Sequence, residues 1–188
     1  MKPIARWIIA GAVLVAIVLW LAGCAPGEAA DSPGYVSGDG TVTIFEDETE
    51  PLTLTGTSFA GDPVDVEDYR GQVVLVNTWY AACPPCRSEA PLLVEQDARD
   101  DVQVVGVNNK DDAPTAEAFD RTFGVEYPSI NDKDGAAIAQ LQGLVALAAT
   151  PTTLVLRPDG VLYARIIGEA DPSTLRSLIE DAQGSSTE

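Results

Sequence analysis

The sequence predicts an α/β fold, and three features carry that reading. Two apolar, β-branched runs, Val73–Asn77 and Val102–Val107, have the character of strands buried on both faces, with a helix-favouring stretch between them. A helix between two such strands is a βαβ unit, with parallel strands and a right-handed crossover. Downstream, Thr152–Leu156 and Val161–Ile167 flank Arg157-Pro158-Asp159-Gly160, a strong hairpin turn, and a capped helix follows. Finally, Cys83-Pro84-Pro85-Cys86 falls where the first buried strand meets its helix.

Taken from the N-terminus, residues 1–23 read as a targeting segment. Lys2 and Arg6 form a positive n-region, and Trp7–Ala22 is continuously apolar. Leu21-Ala22-Gly23-Cys24 resembles a bacterial lipobox, which implies lipid attachment at Cys24 after cleavage. The alternative is an uncleaved anchor, since the apolar run is nearly long enough to span a bilayer. Both place the remainder outside the cytoplasm and tied to a membrane. Residues 24–40, rich in Gly, Ala, Ser, Pro and Asp, read as a flexible tether. Residues 41–184 form the folded domain, and 185–188 a frayed tail.

Within the domain, Thr41–Phe45 and Leu52–Thr55 alternate around acidic Glu46–Glu50 and are expected to pair as an N-terminal β-hairpin extension. Gly61-Asp62 marks a turn, with Val64 and Val66 a short strand. After the βαβ unit, Asn108–Asp112 is a polar loop. Pro114, Ala116, Phe119 and Phe123 then lie at helical spacing, and Gly124 is a C-terminal stop. Ala136–Leu141 reads as a short helix. Asp171 caps the last helix with Pro172 at its first position, and Leu175, Leu178 and Ile179 form its apolar face.

The chain has 188 residues and a formal charge of −18, from 29 acidic and 11 basic side chains and no histidine. Losing residues 1–23 would remove Lys2 and Arg6 and no acid, taking the charge to −20. Such a surface repels phosphates and argues against a nucleic-acid partner. The domain is long enough to bury roughly two thirds of its unfolded surface.

The chemistry concentrates at the Cys-x-x-Cys. A helix N-terminus presents unpaired N–H groups and positive partial charge, which stabilise a thiolate on Cys83. Pro84 and Pro85 suit the first turn, where no N–H partner is needed. Cys86 lies one turn from Cys83, close enough for a disulfide. A zinc knuckle wants four N/S ligands, and the only other cysteine is Cys24. Neither metal nor other cofactor is therefore expected beyond a redox-active Cys83–Cys86 pair. Cys83 is expected to be exposed and attacking, and Cys86 the resolving thiol. Glu89, three residues on, shares their helical face, either as a surface carboxylate or as a buried proton carrier.

Asn77-Thr78-Trp79, Cys83-Pro84-Pro85-Cys86-Arg87-Ser88-Glu89-Ala90-Pro91, Asp68-Tyr69-Arg70-Gly71 and the distant Thr150-Pro151-Thr152 together resemble the TlpA/ResA branch of the thioredoxin superfamily, over about Leu52–Ala182. The resemblance implies a thioredoxin fold, a central mixed sheet flanked by helices, and thiol–disulfide oxidoreductase activity towards exported proteins, including apocytochrome c before haem attachment. It implies that Glu89 sits beneath the active site and influences thiol ionisation. It also implies a cis Thr150-Pro151 bond facing the disulfide, with the Thr150 backbone open to an extended substrate. Trp79, Pro84 and Pro85 join Thr150 and Pro151 as candidate substrate contacts. The expected partners are exported protein thiols or disulfides and a membrane redox protein that recharges the pair. Two positions depart from typical thioredoxins: Asn77 replaces an aspartate, and Ala82 replaces a tryptophan. The first shifts proton handling to Glu89.

Two other function classes compete. A peroxiredoxin-like peroxidase needs Pro-x-x-x-Thr-x-x-Cys with an arginine partner, and no such run exists. A copper or thiol carrier would use paired thiols, but related copper carriers want a longer Cys spacing plus histidine.

Overall fold

The computed structural model describes residues 40–45, 50–145 and 149–184. The expected targeting segment, the expected lipid-bearing Cys24, most of the expected tether and the expected tail lie outside the described residues. Strand β1 is Thr41–Ile44, β2 is Thr55–Thr57 and β3 is Pro63–Asp65, followed by a 3-10 turn, Val66–Tyr69. Then come β4 (Val73–Thr78), α1 (Pro84–Asp97), β5 (Val102–Asn108), α2 (Ala113–Phe123), β6 (Ser129–Asn131), α3 (Ala136–Gln140), β7 (Thr152–Leu156), β8 (Leu162–Ile167) and α4 (Pro172–Gly184).

The main sheet has six strands in the order β1-β8-β7-β4-β5-β6. β4 pairs parallel with β5 and antiparallel with β7, so the sheet is mixed and β4 is central. All of β4 is buried, which explains its unbroken apolar run: the alternating positions feed two different cores. Val73 and Leu75 pack with Leu93, Leu175 and Ile179 from α1 and α4. Val74 and Val76 pack with Leu54, Val64, Ile130 and Leu141 on the opposite face. This is the mixed, helix-flanked sheet of a thioredoxin fold.

The local signals act as the sequence suggests. Pro114 lies in the first turn of α2, and Gly124 ends it in the left-handed region at φ 71°; Asp112, which the sequence places in the loop, caps it by accepting from the Thr115 N–H at 3.1 Å. Asp171 caps α4 by accepting from Ser173 and Thr174 N–H at 3.0 and 2.9 Å. In the β7–β8 turn, the Gly160 N–H donates to the Arg157 carbonyl at 2.7 Å.

The N-terminal extension differs from expectation. β1 does not pair with the segment after the acidic run; it adds to the sheet edge, with Thr41 opposite Ile167 and Ile44 opposite Ala164. The hairpin forms instead between β2 and β3, closed around Gly61-Asp62. β1 lacks apolar residues enough to stabilise an isolated ribbon, whereas the edge of β8 offers a ready backbone ladder. Val66 is buried in the 3-10 turn, not in a strand. β6 was not foreseen: its three residues, Ser-Ile-Asn, are too short and polar to show periodicity, and the edge of β5 recruits them.

Candidate active site

β4 ends at Thr78, and after the four residues Trp79–Ala82 the chain enters α1 with Cys83 as N-cap. Pro84 and Pro85 occupy the first helical positions, where their missing N–H groups cost nothing. Cys83 and Cys86 form a disulfide, with S–S 2.05 Å and Cα–Cα 5.3 Å. The Cys86 N–H also donates to Cys83 Sγ at 3.2 Å, so a helix-terminal N–H is aimed at the sulfur that would carry charge after reduction.

Cys83 was expected to be exposed; in the disulfide form it is 0% exposed, and Cys86 is 2% exposed. Cys83 turns inward to bond Cys86 and joins an apolar cluster with Trp79, Ala90, Ala116 and Phe119. Of the neighbouring prolines, Pro84 is exposed and Pro85 buried. Trp79 is likewise core and not a surface contact. Its ring packs on Phe119 at 4.4 Å, and its indole N–H donates to Ser129 Oγ at 3.2 Å. Gly106 makes room for that pair, because a Cβ there would lie 2.2 Å from Ser129 Oγ.

Glu89 is buried, at 2% exposed, on the face of α1 turned to the sheet. Its Oε1 accepts from Asn77 Nδ2 at 2.8 Å, and its Oε2 from the Ala170 N–H at 3.0 Å. Asn77 Nδ2 also donates to Thr153 Oγ1 at 3.0 Å, tying β4, β7, α1 and the β8–α4 loop to one carboxyl group. Burial pushes the Glu89 pKa up to about 8, against the lowering effect of its two donors, and the nearby Glu169 charge pushes the same way. The surface alternative for Glu89 is thus set aside. What remains is a carboxyl group that changes protonation near neutral pH.

Thr150-Pro151 is cis, and both residues are buried. Register places them at the Cys83 end of the sheet: Thr152 pairs with Thr78, and its N–H donates to Thr78 Oγ1 at 2.9 Å. A cleft of about 370 Å³ is lined by Ala81, Arg87, Pro114, Thr115 and Phe119 among others. Among the described residues no group of three or more His, Cys, Asp or Glu is disposed to hold a metal ion.

The sequence reading missed several members of this site. Ala170 acts through its main chain, which no side-chain pattern reports. Thr153 looks like one more strand residue. Asp111 sits in the polar Asn108–Asp112 run, yet its carboxylate accepts from the Ala81 N–H at 2.6 Å, two residues before Cys83.

The AhpC/TSA family model matches residues 47–165. The thiol-disulfide oxidoreductase ResA of Bacillus subtilis is 25% identical over 122 residues, covering 63% of this chain and 66% of ResA. The thiol:disulfide interchange protein HelX of Rhodobacter capsulatus is 30% identical over 131 residues, covering 70% of this chain and 69% of HelX. The chain thus spans about two thirds of the length of these relatives. Among solved structures, a secreted thiol-disulfide isomerase from Corynebacterium glutamicum is similar at TM-score 0.68 and 27% identity, over 75% of this chain and 90% of that one. A DsbF homologue from Corynebacterium diphtheriae is similar at TM-score 0.65 and 26% identity, over 84% of this chain and 96% of that one.

Proposed function

The chain belongs to the AhpC/TSA family, and we propose that it is a membrane-tethered, extracytoplasmic thiol–disulfide oxidoreductase that exchanges disulfides with exported proteins through Cys83 and Cys86. The observation that carries this reading is a Cys-Pro-Pro-Cys disulfide at a helix N-terminus with a buried Glu89, its pKa raised by burial, on the same helix. Relatives named as thiol–disulfide oxidoreductases support the chemistry. The secreted relative and the apolar, lipobox-bearing N-terminus support the location. Cytochrome c maturation is the specific role the ResA likeness suggests.

In the reducing direction the Cys83 thiolate attacks one sulfur of a substrate disulfide. That S–S bond breaks, a mixed disulfide forms, and one substrate thiolate leaves. Cys86 then gives up its proton and attacks Cys83 Sγ. The mixed disulfide breaks, the second substrate thiolate leaves, and Cys83–Cys86 is oxidised while the substrate gains two electrons. The ionised Glu89 carboxylate is the acceptor for the Cys86 proton, and its raised pKa in the disulfide form favours keeping it. Asn77 cannot take that part; it holds the carboxylate as a donor. The oxidising direction is the same path reversed. Thr150, before the cis Pro151 at the Thr78 end of β7, offers the backbone along which an extended substrate would lie.

The peroxidase alternative finds no support, since Tyr80 and Val76 stand where its run needs Thr and Pro. The experiment is trapping. Reduced Cys86→Ala protein, mixed with a disulfide-bonded exported protein, should accumulate a mixed disulfide at Cys83, and Cys83→Ala should accumulate none. Equal trapping by both variants, or peroxide consumption in place of disulfide exchange, would overturn the reading.

A further inference from the structure

We propose that Asp111, which lies outside the Cys-Pro-Pro-Cys helix, is a positioning residue that keeps Cys83 at the helix N-cap by clamping the backbone of Ala81. The proposal rests on the reading of Cys83 as the nucleophile and deepens it.

Between the end of β4 and Cys83 lie only Trp79–Ala82. The Trp79 N–H still donates to the Val107 carbonyl at 3.1 Å, and the Cys83 N–H turns back to the Tyr80 carbonyl at 3.1 Å. Ala81, in the middle, is held by side chains on both its main-chain groups. Its N–H donates to Asp111 Oδ2 at 2.6 Å, and its carbonyl accepts from Arg87 Nη1 at 3.2 Å. A charged acceptor at that distance is among the stronger hydrogen bonds a loop can make.

Asp111 is itself fixed by the sheet. The same Oδ2 accepts from Asn108 Nδ2 at 2.8 Å, while Asn108 Oδ1 accepts from the Lys110 and Asp111 N–H groups at 3.0 Å each. Asn108 is fully buried at the end of β5 and paired with Asn131 of β6. A rigid strand end therefore sets Asn108, Asn108 sets Asp111, and Asp111 sets Ala81. Cys83 holds its extended N-cap conformation, φ −77° and ψ 114°, which directs Sγ towards the Cys86 N–H. A slack Ala81 would let Sγ leave that alignment, and the thiolate would lose its donor.

Charge and position pull in opposite directions here, which makes the idea testable. The charged groups on the elements that meet here are Arg87 and Glu89 on α1, Lys110, Asp111 and Asp112 after β5, and Glu117, Asp120 and Arg121 on α2, whose Ala116 and Phe119 pack in the Cys83 cluster. Lys133 joins them through its bond to the Lys110 carbonyl. Removing the Asp111 charge alone would make a nearby thiolate easier to form and lower the Cys83 pKa. Losing the clamp raises it.

The experiment is the pH profile of iodoacetamide alkylation at Cys83, mapped by mass spectrometry, in the reduced full chain and three variants. Asp111→Ala loses both charge and acceptor. Asp111→Glu keeps the charge but displaces the oxygen by one methylene. Asp111→Asn loses the charge yet keeps one oxygen able to accept both donors. The clamp predicts a Cys83 pKa higher by about one unit in Asp111→Ala and Asp111→Glu, hence roughly tenfold slower alkylation below that pKa. Asp111→Asn keeps the clamp without the charge and should titrate below the parent, and amide exchange at Ala81 should accelerate only in the first two. A lowered or unchanged pKa in Asp111→Ala, or a parental profile in Asp111→Glu, overturns the proposal. If Asp111→Ala does not fold, the Glu and Asn variants decide it. A parent Cys83 that titrates like a free thiol would refute the nucleophile reading itself. A low pKa shared by parent and all variants refutes only the clamp.

Discussion

Replacing Glu89 with Gln should change how the protein's stability depends on pH, by an amount the structure specifies. Glu89 titrates from 4.5 when unfolded to about 8 when folded, because burial disfavours its charged form. Between those values the folded state holds a proton that the unfolded state has released. Stability from this group is therefore complete below about pH 4.5, falls as pH rises, and levels off above about pH 8. Each pH unit in that window is worth about 1.4 kcal/mol, so the parent should lose about 2.5 kcal/mol between pH 5 and pH 7 from Glu89 alone. Glutamine cannot ionise and carries none of this slope. It can accept only one of the two bonds from Asn77 and Ala170, so near pH 5 the variant should be the weaker by about 1–3 kcal/mol. The gap should close, and even reverse, towards pH 8. The assay is urea unfolding of the oxidised proteins at pH 5, 6, 7 and 8, with the other titrating groups common to both. A constant offset between the two curves would mean that Glu89 ionises as an ordinary carboxylate, and the proton-acceptor role would go with it.

The same variant should lower the apparent pKa of the reduced thiols and slow turnover, read by alkylation and by disulfide-exchange rates; superimposable titrations would refute the coupling. In the reduced parent, Cys83 should alkylate far faster than Cys86 at neutral pH, and equal rates would refute the division into attacking and resolving thiols. Mass spectrometry of membrane-extracted protein should find a diacylated N-terminus at Cys24, whereas an intact Met1 would establish the uncleaved anchor.

What was legible in the sequence were features whose cause is local or periodic. The doubly buried β4 and β5 appear as unbroken apolar runs, and Pro114 and the cap Asp171 announce their helices. The hairpin after β7 is written in its Pro-Asp-Gly turn. Pairing choices were not legible. β1 is compatible with more than one partner, and its place beside β8 depends on an edge that exists only once the sheet is built. β6 depends in the same way on β5. At the site, the residue type and helical spacing singled out Cys83, Cys86 and Glu89. The groups that fix them, the Ala170 N–H and the Asp111–Ala81 bond, join positions 81 and 30 residues apart. No spacing rule reaches that far.

The burial of Cys83 bears on how the site must work. In the disulfide form both sulfurs lie within a cluster of Trp79, Ala90, Ala116 and Phe119, so an incoming thiolate cannot reach Cys83 without movement of what covers it. The sheet side of the site is rigid: Asn77 and Thr78 are fully paired in β4, and Glu89 is tied to two loops and a strand. In the proposed mechanism, the tethering of Glu89 by Asn77 and Ala170 is what a proton acceptor needs if it is to meet Cys86 in the same geometry on every cycle. Proton transfer in that mechanism depends on the sheet, and access to Cys83 depends on displacing the cluster packed over it.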